Sequence, residues 1–206
     1  MGGILIRDID IITADPQDGF RACSDIGIEG NRFLYIRPSG ERENTCREFP
    51  AFQPDHILSG KGRLAIPGLV NAHTHTGMTL FRNLGNDLPL QSWLFDRIFP
   101  AEAKMTGDEV YWGTLLGIGE MIRSGSTACA DMYLWMDHAV KAYAESGFRV
   151  NMAPGPYRFV ASPAPRLVDE TGWFADFYRH WNDSCGGRIK VYVQAHSVYL
   201  LDREHL

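Results

Sequence analysis

Two histidines separated by one residue, His73 and His75, end an apolar run in the segment PGLVNAHTHTGMTLFR, residues 67–82. On an extended strand, residues i and i+2 point to the same face, so the two imidazoles would lie side by side. Neutral imidazoles are good ligands for zinc or iron, and two of them leave room for further ligands and a water molecule. The pair therefore predicts part of a metal site. The alternative is two core or surface histidines that happen to share a face.

The segments around the pair alternate between strand and helix patterns. The run LAIPGLVNAH is almost continuously apolar, which predicts a strand buried on both faces. Thr106 and Glu109 form a capping box that begins a helix, and Gly125 ends it. The remaining predicted elements are strands at 126–133, 148–154 and 188–196 and helices at 136–146 and 172–181. Such alternation implies right-handed βαβ units and a parallel sheet.

The predicted fold class is α/β: the N-terminal half of a (β/α)8 TIM-type barrel, preceded by part of a small β-sandwich domain. A complete barrel has eight strands and typically about 250 residues, whereas this chain has 206 residues. We assign residues 66–206 to the first four βα units and residues 1–65 to the β-rich segment. Within that segment, ILIRDIDIITA and DIGIEGNRFLYIRP predict strands, and SGERENTCREFPAFQPDH predicts a loop and hairpin.

Composition excludes several classes of partner. The chain is 45% hydrophobic and 22% charged, with a net charge of −5 and no basic stripe, which argues against nucleic acid. No run approaches the roughly 18 apolar residues of a membrane span, and the start lacks the features of a signal peptide. Four scattered cysteines without a C-x-x-C pattern indicate reduced thiols. We therefore expect a cytoplasmic protein that binds neither nucleic acid nor a membrane.

A family resemblance extends the interpretation of the histidine pair. The segment PGLVNAHTHTGMTLFRNLGNDLPLQSWL resembles the first-strand signature of the amidohydrolase superfamily, in particular its methylthioadenosine/S-adenosylhomocysteine deaminase and chlorohydrolase-related branch. The similarity continues through FPAEAKMT, GEMIRSGSTACADMY and VQAHSVYL, so that it covers nearly all of residues 60–206. It implies a zinc-dependent hydrolase of non-peptide C–N bonds that acts on a small-molecule substrate. The implied reaction is deamination of an adenine-type nucleoside or a related amino-heterocycle by means of metal-bound hydroxide.

The resemblance also implies roles for individual residues. His73 and His75 match the first two ligands of a single Zn²⁺ per active site, with Fe²⁺ as the alternative metal. The later ligands and the proton-shuttling Glu of the family do not occur in this stretch, so it holds no catalytic residue and the isolated chain is expected to be inactive. Four residues match substrate contacts of the family, and each also has a structural alternative. Trp93 would cover the bound ring or be a core residue, and Glu102 would accept hydrogen bonds from ribose hydroxyls or be a helix-surface residue. Arg166 would bind a carboxylate or be a plain loop arginine, and His196 would contact the substrate or be a structural residue.

One departure from the family pattern bears on the substrate. Members that act on S-adenosylhomocysteine often have an arginine near the end of the third strand, where this chain has Pro154, with Arg158 four residues later. Smaller nucleosides and other amino-heterocycles therefore stay open as substrates. The alternative to an enzyme is a non-catalytic half-barrel that needs a partner chain or the missing half. Because a half-barrel exposes sheet edges, we expect either a longer protein or a homo-oligomer.

Overall fold

The computed structural model describes residues 3–154 and 172–193 of the chain. The chain divides into two compact units, Met1–Pro67 and Gly68–Leu206. The first unit is dominated by β-structure, and the second contains parallel strands connected by helices. No helix in the described part of the chain is long and apolar enough to cross a membrane.

The first unit is a mixed β-sheet with one helix beside it. Its described elements are β1 (Gly3–Ile12), β2 (Phe20–Glu29), β3 (Arg32–Pro38), α1 (Arg42–Glu48), β4 (Pro54–Ser59) and β5 (Leu64–Ala65). The strand order is β3-β2-β1-β4, with β5 also paired to β1. β1 and β2 pair antiparallel, as do β2 and β3, whereas β4 and β5 run parallel to β1. Isoleucines that alternate along the strands, Ile9, Ile11 and Ile26, form its small apolar core.

The segment SGERENTCREFPAFQPDH shows that the prediction of a loop and hairpin was wrong. It contains a short turn of 3-10 helix at Ser39–Glu41, the helix α1 and the first residues of β4. The helix is held by a charged side chain: Arg42 donates to the buried carboxylate of Asp25 at 2.8 Å. A tertiary ion pair of this kind stabilises a helix whose seven residues show no apolar periodicity in the sequence.

The second unit has the βα alternation that the sequence predicts. Its described elements are β6 (Leu69–Thr74), α2 (Leu90–Trp93), α3 (Phe99–Glu102), α4 (Gly107–Arg123), β7 (Ser126–Asp131), α5 (Met136–Ser146), β8 (Arg149–Met152), α6 (Trp173–Trp181), α7 (Ser184–Gly187) and β9 (Ile189–Val191), with a 3-10 helix at Thr76–Phe81 and a π-helical stretch at Leu94–Ile98. The four strands are parallel, in the order β6-β7-β8-β9. This is the arrangement of a partial (β/α)8 barrel, so the predicted fold class is confirmed.

Several local predictions can be compared directly with these elements. The capping box is confirmed: the Thr106 hydroxyl accepts from the Glu109 N–H, while the Glu109 carboxylate accepts from the Thr106 N–H. Gly147 ends α5 in the left-handed conformation, at φ 72°. The run LAIPGLVNAH is not one strand buried on both faces, because Pro67-Gly68 separates β5 from β6. Within the described residues β6 pairs on one side only, with β7, and its Leu69 and Val70 are 51% and 66% exposed.

Glycines on one face of α4 let the helix lie against the backbone that follows the histidines. A Cβ at Gly113 would lie 2.7 Å from the carbonyl oxygen of Gly77, and one at Gly117 would lie 2.5 Å from Thr76 Cγ2. The Thr79 hydroxyl also donates to the Gly113 carbonyl at 2.6 Å. α4 therefore packs directly on the 3-10 helix Thr76–Phe81. Any larger side chain at Gly113 must push the two apart.

We expect Gly113→Ala to destabilise the protein by roughly 1–3 kcal/mol, because the new methyl group meets a backbone atom that cannot rotate away. Gly119→Ala is the matched control on the same helix, since nothing lies within 4 Å of its added Cβ. That control should stabilise by up to about 1 kcal/mol, the ordinary gain in helix propensity. Chemical denaturation of both variants measures the difference. Equal stabilisation by the two alanines would contradict the close packing.

Candidate functional site

The structure fixes the orientation of His75. This residue lies just beyond β6, at the start of the 3-10 helix Thr76–Phe81. Its Nδ1 is 2.6 Å from the carbonyl oxygen of Met132, the residue that follows β7. Because a carbonyl only accepts hydrogen bonds, Nδ1 must carry the proton, and Nε2 carries the lone pair. This is the arrangement in which protein histidines bind metal ions.

His73 lies beside His75 but in a different environment. The centres of the two rings are 5.1 Å apart and their planes are inclined by 77°. His73 is exposed, whereas His75 is half-buried. A zinc ion lies about 2.0–2.1 Å from each histidine nitrogen, so two rings that share one ion must be about this close. The chemistry and spacing of the pair thus fit a metal ion.

Two histidines are only part of a metal centre. Across residues 3–154 and 172–193, the structure brings together no group of three or more His, Cys, Asp or Glu side chains that could hold a metal ion. Structural and catalytic zinc sites have at least three protein ligands. Any metal at His73 and His75 therefore requires ligands beyond the described residues.

A buried polar cluster behind His75 was not singled out by the sequence analysis. Asp131, at the end of β7, is 1% exposed, and its carboxylate accepts from the Thr76 N–H at 2.9 Å and from the Tyr143 hydroxyl at 2.8 Å. Burial raises the pKa of Asp131 and also that of Tyr143. Burial likewise raises the pKa of the neighbouring Cys129 thiol to about 12, which keeps it neutral. The available signal was an acidic residue that ends the otherwise small and apolar strand STACAD.

Glu102 is connected to the histidine pair through Tyr133. The Tyr133 ring centre is 6.4 Å from that of His75, and its hydroxyl forms a hydrogen bond with the Glu102 carboxyl group. The segment after His75 can approach the segment after β7 this closely only because residue 77 is glycine: a Cβ at Gly77 would lie 2.7 Å from the Tyr133 ring. Burial raises the pKa of Glu102, and the Tyr133 hydrogen bond only partly offsets this. Glu102 is therefore not an ordinary surface carboxylate of α3.

Trp93 is anchored by the loop that precedes its own helix. Its indole N–H donates to the carbonyl of Leu84 at 3.2 Å. The indole Cδ1 also lies 3.3 Å from the place a Cβ would take at Gly85, a residue at φ 81°. The ring is half-buried, so one part of it stays open to solvent. These contacts fit a fixed aromatic platform, and the role of Trp93 as a substrate cover stays a prediction.

The other two predicted substrate contacts, Arg166 and His196, lie outside the described residues. Their roles stay predictions. The part of the candidate site that can be described consists of the histidine pair, the cluster behind His75, and the Tyr133–Glu102 contact. All of it is built at the carboxyl ends of β6 and β7 and on the segments that follow them. In barrels of parallel strands, this end carries the active site.

Comparison with known proteins gives a consistent assignment. The family model described as "Amidohydrolase family" matches residues 64–196. A 5-methylthioadenosine/S-adenosylhomocysteine deaminase from Acetivibrio thermocellus is 43% identical over 203 residues, which is 98% of this chain and 45% of that protein. A relative with the same name from Dictyoglomus thermophilum is 46% identical over 145 residues, 70% of this chain and 33% of that protein.

Solved structures give the same result for the fold. An adenosine deaminase from Xanthomonas campestris with bound zinc superimposes with a TM-score of 0.83 and 26% identity, covering 98% of this chain and 44% of that one. Guanine deaminase from E. coli superimposes with a TM-score of 0.74 at 14% identity, covering 49% of its chain, and this supports the fold alone. Where a relative or solved structure matches nearly all of this chain, the chain therefore spans a little under half of that protein's own length.

The raised pKa of Glu102 predicts a pH-dependent gain in stability from Glu102→Gln. When an acidic group has a higher pKa in the folded protein than in the unfolded chain, the folded protein loses stability as the pH rises through that higher pKa. Gln mimics the neutral acid, so the variant should melt at a higher temperature than the wild type at neutral pH. The difference should vanish near pH 4, about the pKa of Glu in an unfolded chain.

Glu120→Gln is the control of opposite sign. Glu120 is paired with Arg82, with Nη2 and Oε2 2.6 Å apart, and this pair lowers the pKa of Glu120. Its replacement should leave the melting temperature unchanged or lower at neutral pH. Thermal melts of both variants across the pH range give the comparison. A Glu102→Gln variant that melts below the wild type at neutral pH would contradict the inferred burial of the carboxyl group.

Proposed function

Because the chain belongs to the amidohydrolase family, we propose that it forms part of the active site of a metal-dependent deaminase. The reaction is hydrolysis of the C–N bond that carries the amino group of an adenine-type nucleoside or a related amino-heterocycle. The observation that carries this proposal is the paired geometry of His73 and His75, with ring centres 5.1 Å apart and with Nδ1 of His75 bonded to a carbonyl.

His73 and His75 are the residues of this chain that would hold the metal, Zn²⁺ in our proposal and Fe²⁺ as the alternative. When bound, a zinc ion lowers the pKa of a water molecule to about 7 and so supplies the nucleophile for hydrolysis. The contribution of this chain is positional. The Met132 carbonyl keeps the proton of His75 on Nδ1, so that Nε2 is the nitrogen that would bind the ion. Further ligands and the proton-transferring group must come from elsewhere in the complete protein.

The substrate is held, in this proposal, by residues on the segments that follow β6 and in the second half of the chain. Glu102, hydrogen-bonded to Tyr133, would accept hydrogen bonds from sugar hydroxyls. Trp93 would cover the face of the heterocycle, a contact that aromatic rings make readily. Arg166 and His196 are kept as substrate contacts on the basis of the family resemblance. We place the reaction in the cytoplasm, which is consistent with four free cysteines.

The choice of an adenine-type substrate is supported by what the relatives are. Two of the similar proteins are named as 5-methylthioadenosine/S-adenosylhomocysteine deaminases, and one superimposable structure is an adenosine deaminase. Pro154 stands where an arginine is expected in members that bind the amino-acid part of S-adenosylhomocysteine. We therefore favour nucleosides without a charged amino-acid tail. Release of ammonia from adenosine, 5-methylthioadenosine and S-adenosylhomocysteine by the complete protein tests this order directly.

Replacing both His73 and His75 by Ala in the complete protein should abolish deamination and remove bound zinc together, because two of the ligands are lost. The measurement is metal content by elemental analysis alongside ammonia release. His56→Ala is the control: His56 is an exposed histidine on β4 in the first unit, and its loss should change neither quantity. A double variant that keeps its zinc would show that these histidines are not the ligands.

A further inference from the structure

Two adjacent residues at the histidine pair are tied to two adjacent residues at the end of β7. The His75 imidazole donates to the carbonyl of Met132 at 2.6 Å, and the Thr76 N–H donates to Asp131 Oδ1 at 2.9 Å. The first bond orients the ring, and the second fixes the backbone immediately after it. Together they restrict both the rotation of the His75 side chain and the path of the chain that carries it.

Asp131 is engaged on both carboxylate oxygens. Oδ1 accepts from the Thr76 N–H, and Oδ2 accepts from the Tyr143 hydroxyl at 2.8 Å. The Tyr143 hydroxyl is also 2.8 Å from the Thr76 hydroxyl. Since a tyrosine has one hydroxyl proton, which goes to the carboxylate, the Thr76 hydroxyl donates to the Tyr143 oxygen. Asp131, Tyr143 and Thr76, the last through both its backbone N–H and its hydroxyl, therefore form a closed, fully buried triangle of hydrogen bonds.

Burying this polar triangle in the core is unfavourable in free energy compared with apolar packing. Asp131, Thr76 and Tyr143 are 1%, 2% and 0% exposed, and burying a carboxylate costs free energy even when it is well hydrogen-bonded. An apolar side chain of similar volume would often be neutral or stabilising at such a place. What an apolar side chain could not do is accept the N–H of Thr76. The distinctive consequence of the carboxylate is thus the fixed backbone beside His75.

We propose that Asp131, supported by Tyr143, is a positioning residue for the metal site, which sets the affinity of His75 for the ion without being a ligand. This inference rests on the proposed function, in which His75 binds a metal. Among the described residues the structure brings together no group of three His, Cys, Asp or Glu side chains that could hold an ion, so it does not place Asp131 as a third ligand beside the histidine pair. Tyr143 acts from α5, one helix further along the chain, and holds the carboxylate in the direction that reaches Thr76.

The test measures the zinc affinity of the complete protein by competition with a chromophoric chelator, using Asp131→Asn. The change keeps the size of the side chain but replaces one acceptor oxygen by an NH2 group, so that the side chain can no longer accept from both the Thr76 N–H and the Tyr143 hydroxyl. We expect zinc to bind at least about tenfold more weakly, the usual effect of removing a group that orients a metal ligand. Tyr143→Phe, which removes only the hydroxyl, should give a loss between the wild type and Asp131→Asn.

Asp25→Asn is the matched control. Asp25 is also a buried, fully hydrogen-bonded carboxylate, 4% exposed and bonded to Arg42 and Ser39, but it lies in the first unit. If Asp131 were only a structural residue, both Asn variants would lower the melting temperature and neither would change the zinc affinity. Wild-type affinity in a folded Asp131→Asn protein, or an equal loss in Asp25→Asn, overturns the inference. If Asp131→Asn does not fold, Tyr143→Phe decides by the same criterion.

Failure of the positioning role can be distinguished from failure of the proposed deaminase activity. A wild-type protein that binds zinc but releases no ammonia from any adenine-type nucleoside refutes the proposed function. It leaves the comparison of zinc affinities intact. Conversely, an active enzyme whose zinc affinity does not respond to Asp131 or Tyr143 refutes the positioning role alone.

Discussion

The hydrogen bond between the His75 imidazole and the Met132 carbonyl is the interaction on which the site depends. It can form only if the end of β6 and the end of β7 stay in register. The pairing of Thr74 with Asp131, and the bond from the Met132 N–H to the Thr74 carbonyl at 3.3 Å, keep that register. A ring that could rotate would present either nitrogen to a metal ion. With the bond in place, Nδ1 is the donor, and Nε2 is the nitrogen that would bind an ion in the proposed function.

The same bond constrains the packing around it. The chain must turn directly after His75 into the 3-10 helix Thr76–Phe81, which then packs on α4. There is room for this only because glycines stand at the points of contact: Gly77 against Tyr133, and Gly113 and Gly117 on α4. These positions are glycine for reasons of space, not of backbone conformation. The geometry of the histidines is thus partly encoded on a helix more than thirty residues away in sequence.

Much of this arrangement could be predicted from the sequence, and what could not has physical reasons. The periodic and capped elements, such as α4 with its Thr106–Glu109 box, are encoded locally and are where predicted. Helix α1 depends on the contact of Arg42 with Asp25, a pair that no local pattern reveals. The exposure of β6 depends on which strands lie beside it, which the apolar run cannot show. The role of Asp131 could not be predicted either, because only the pairing of β6 with β7 brings its carboxylate to the Thr76 N–H.

In the proposed function, the requirements of a metal centre are divided along the chain. The orientation of His75 is fixed locally, because the elements that hold its imidazole belong to two consecutive βα units. These elements are β6, α4, β7 and α5. Affinity is not local, because an ion held by two imidazoles needs further donors, and no third one is present among residues 3–154 and 172–193. Preorganising two ligands lowers the entropy that must be lost when the remaining ligands and the ion come together. In the proposed function, the buried carboxylate behind His75 contributes to this preorganisation, and the free energy that its burial costs is offset within the folding of the units that carry the histidine pair.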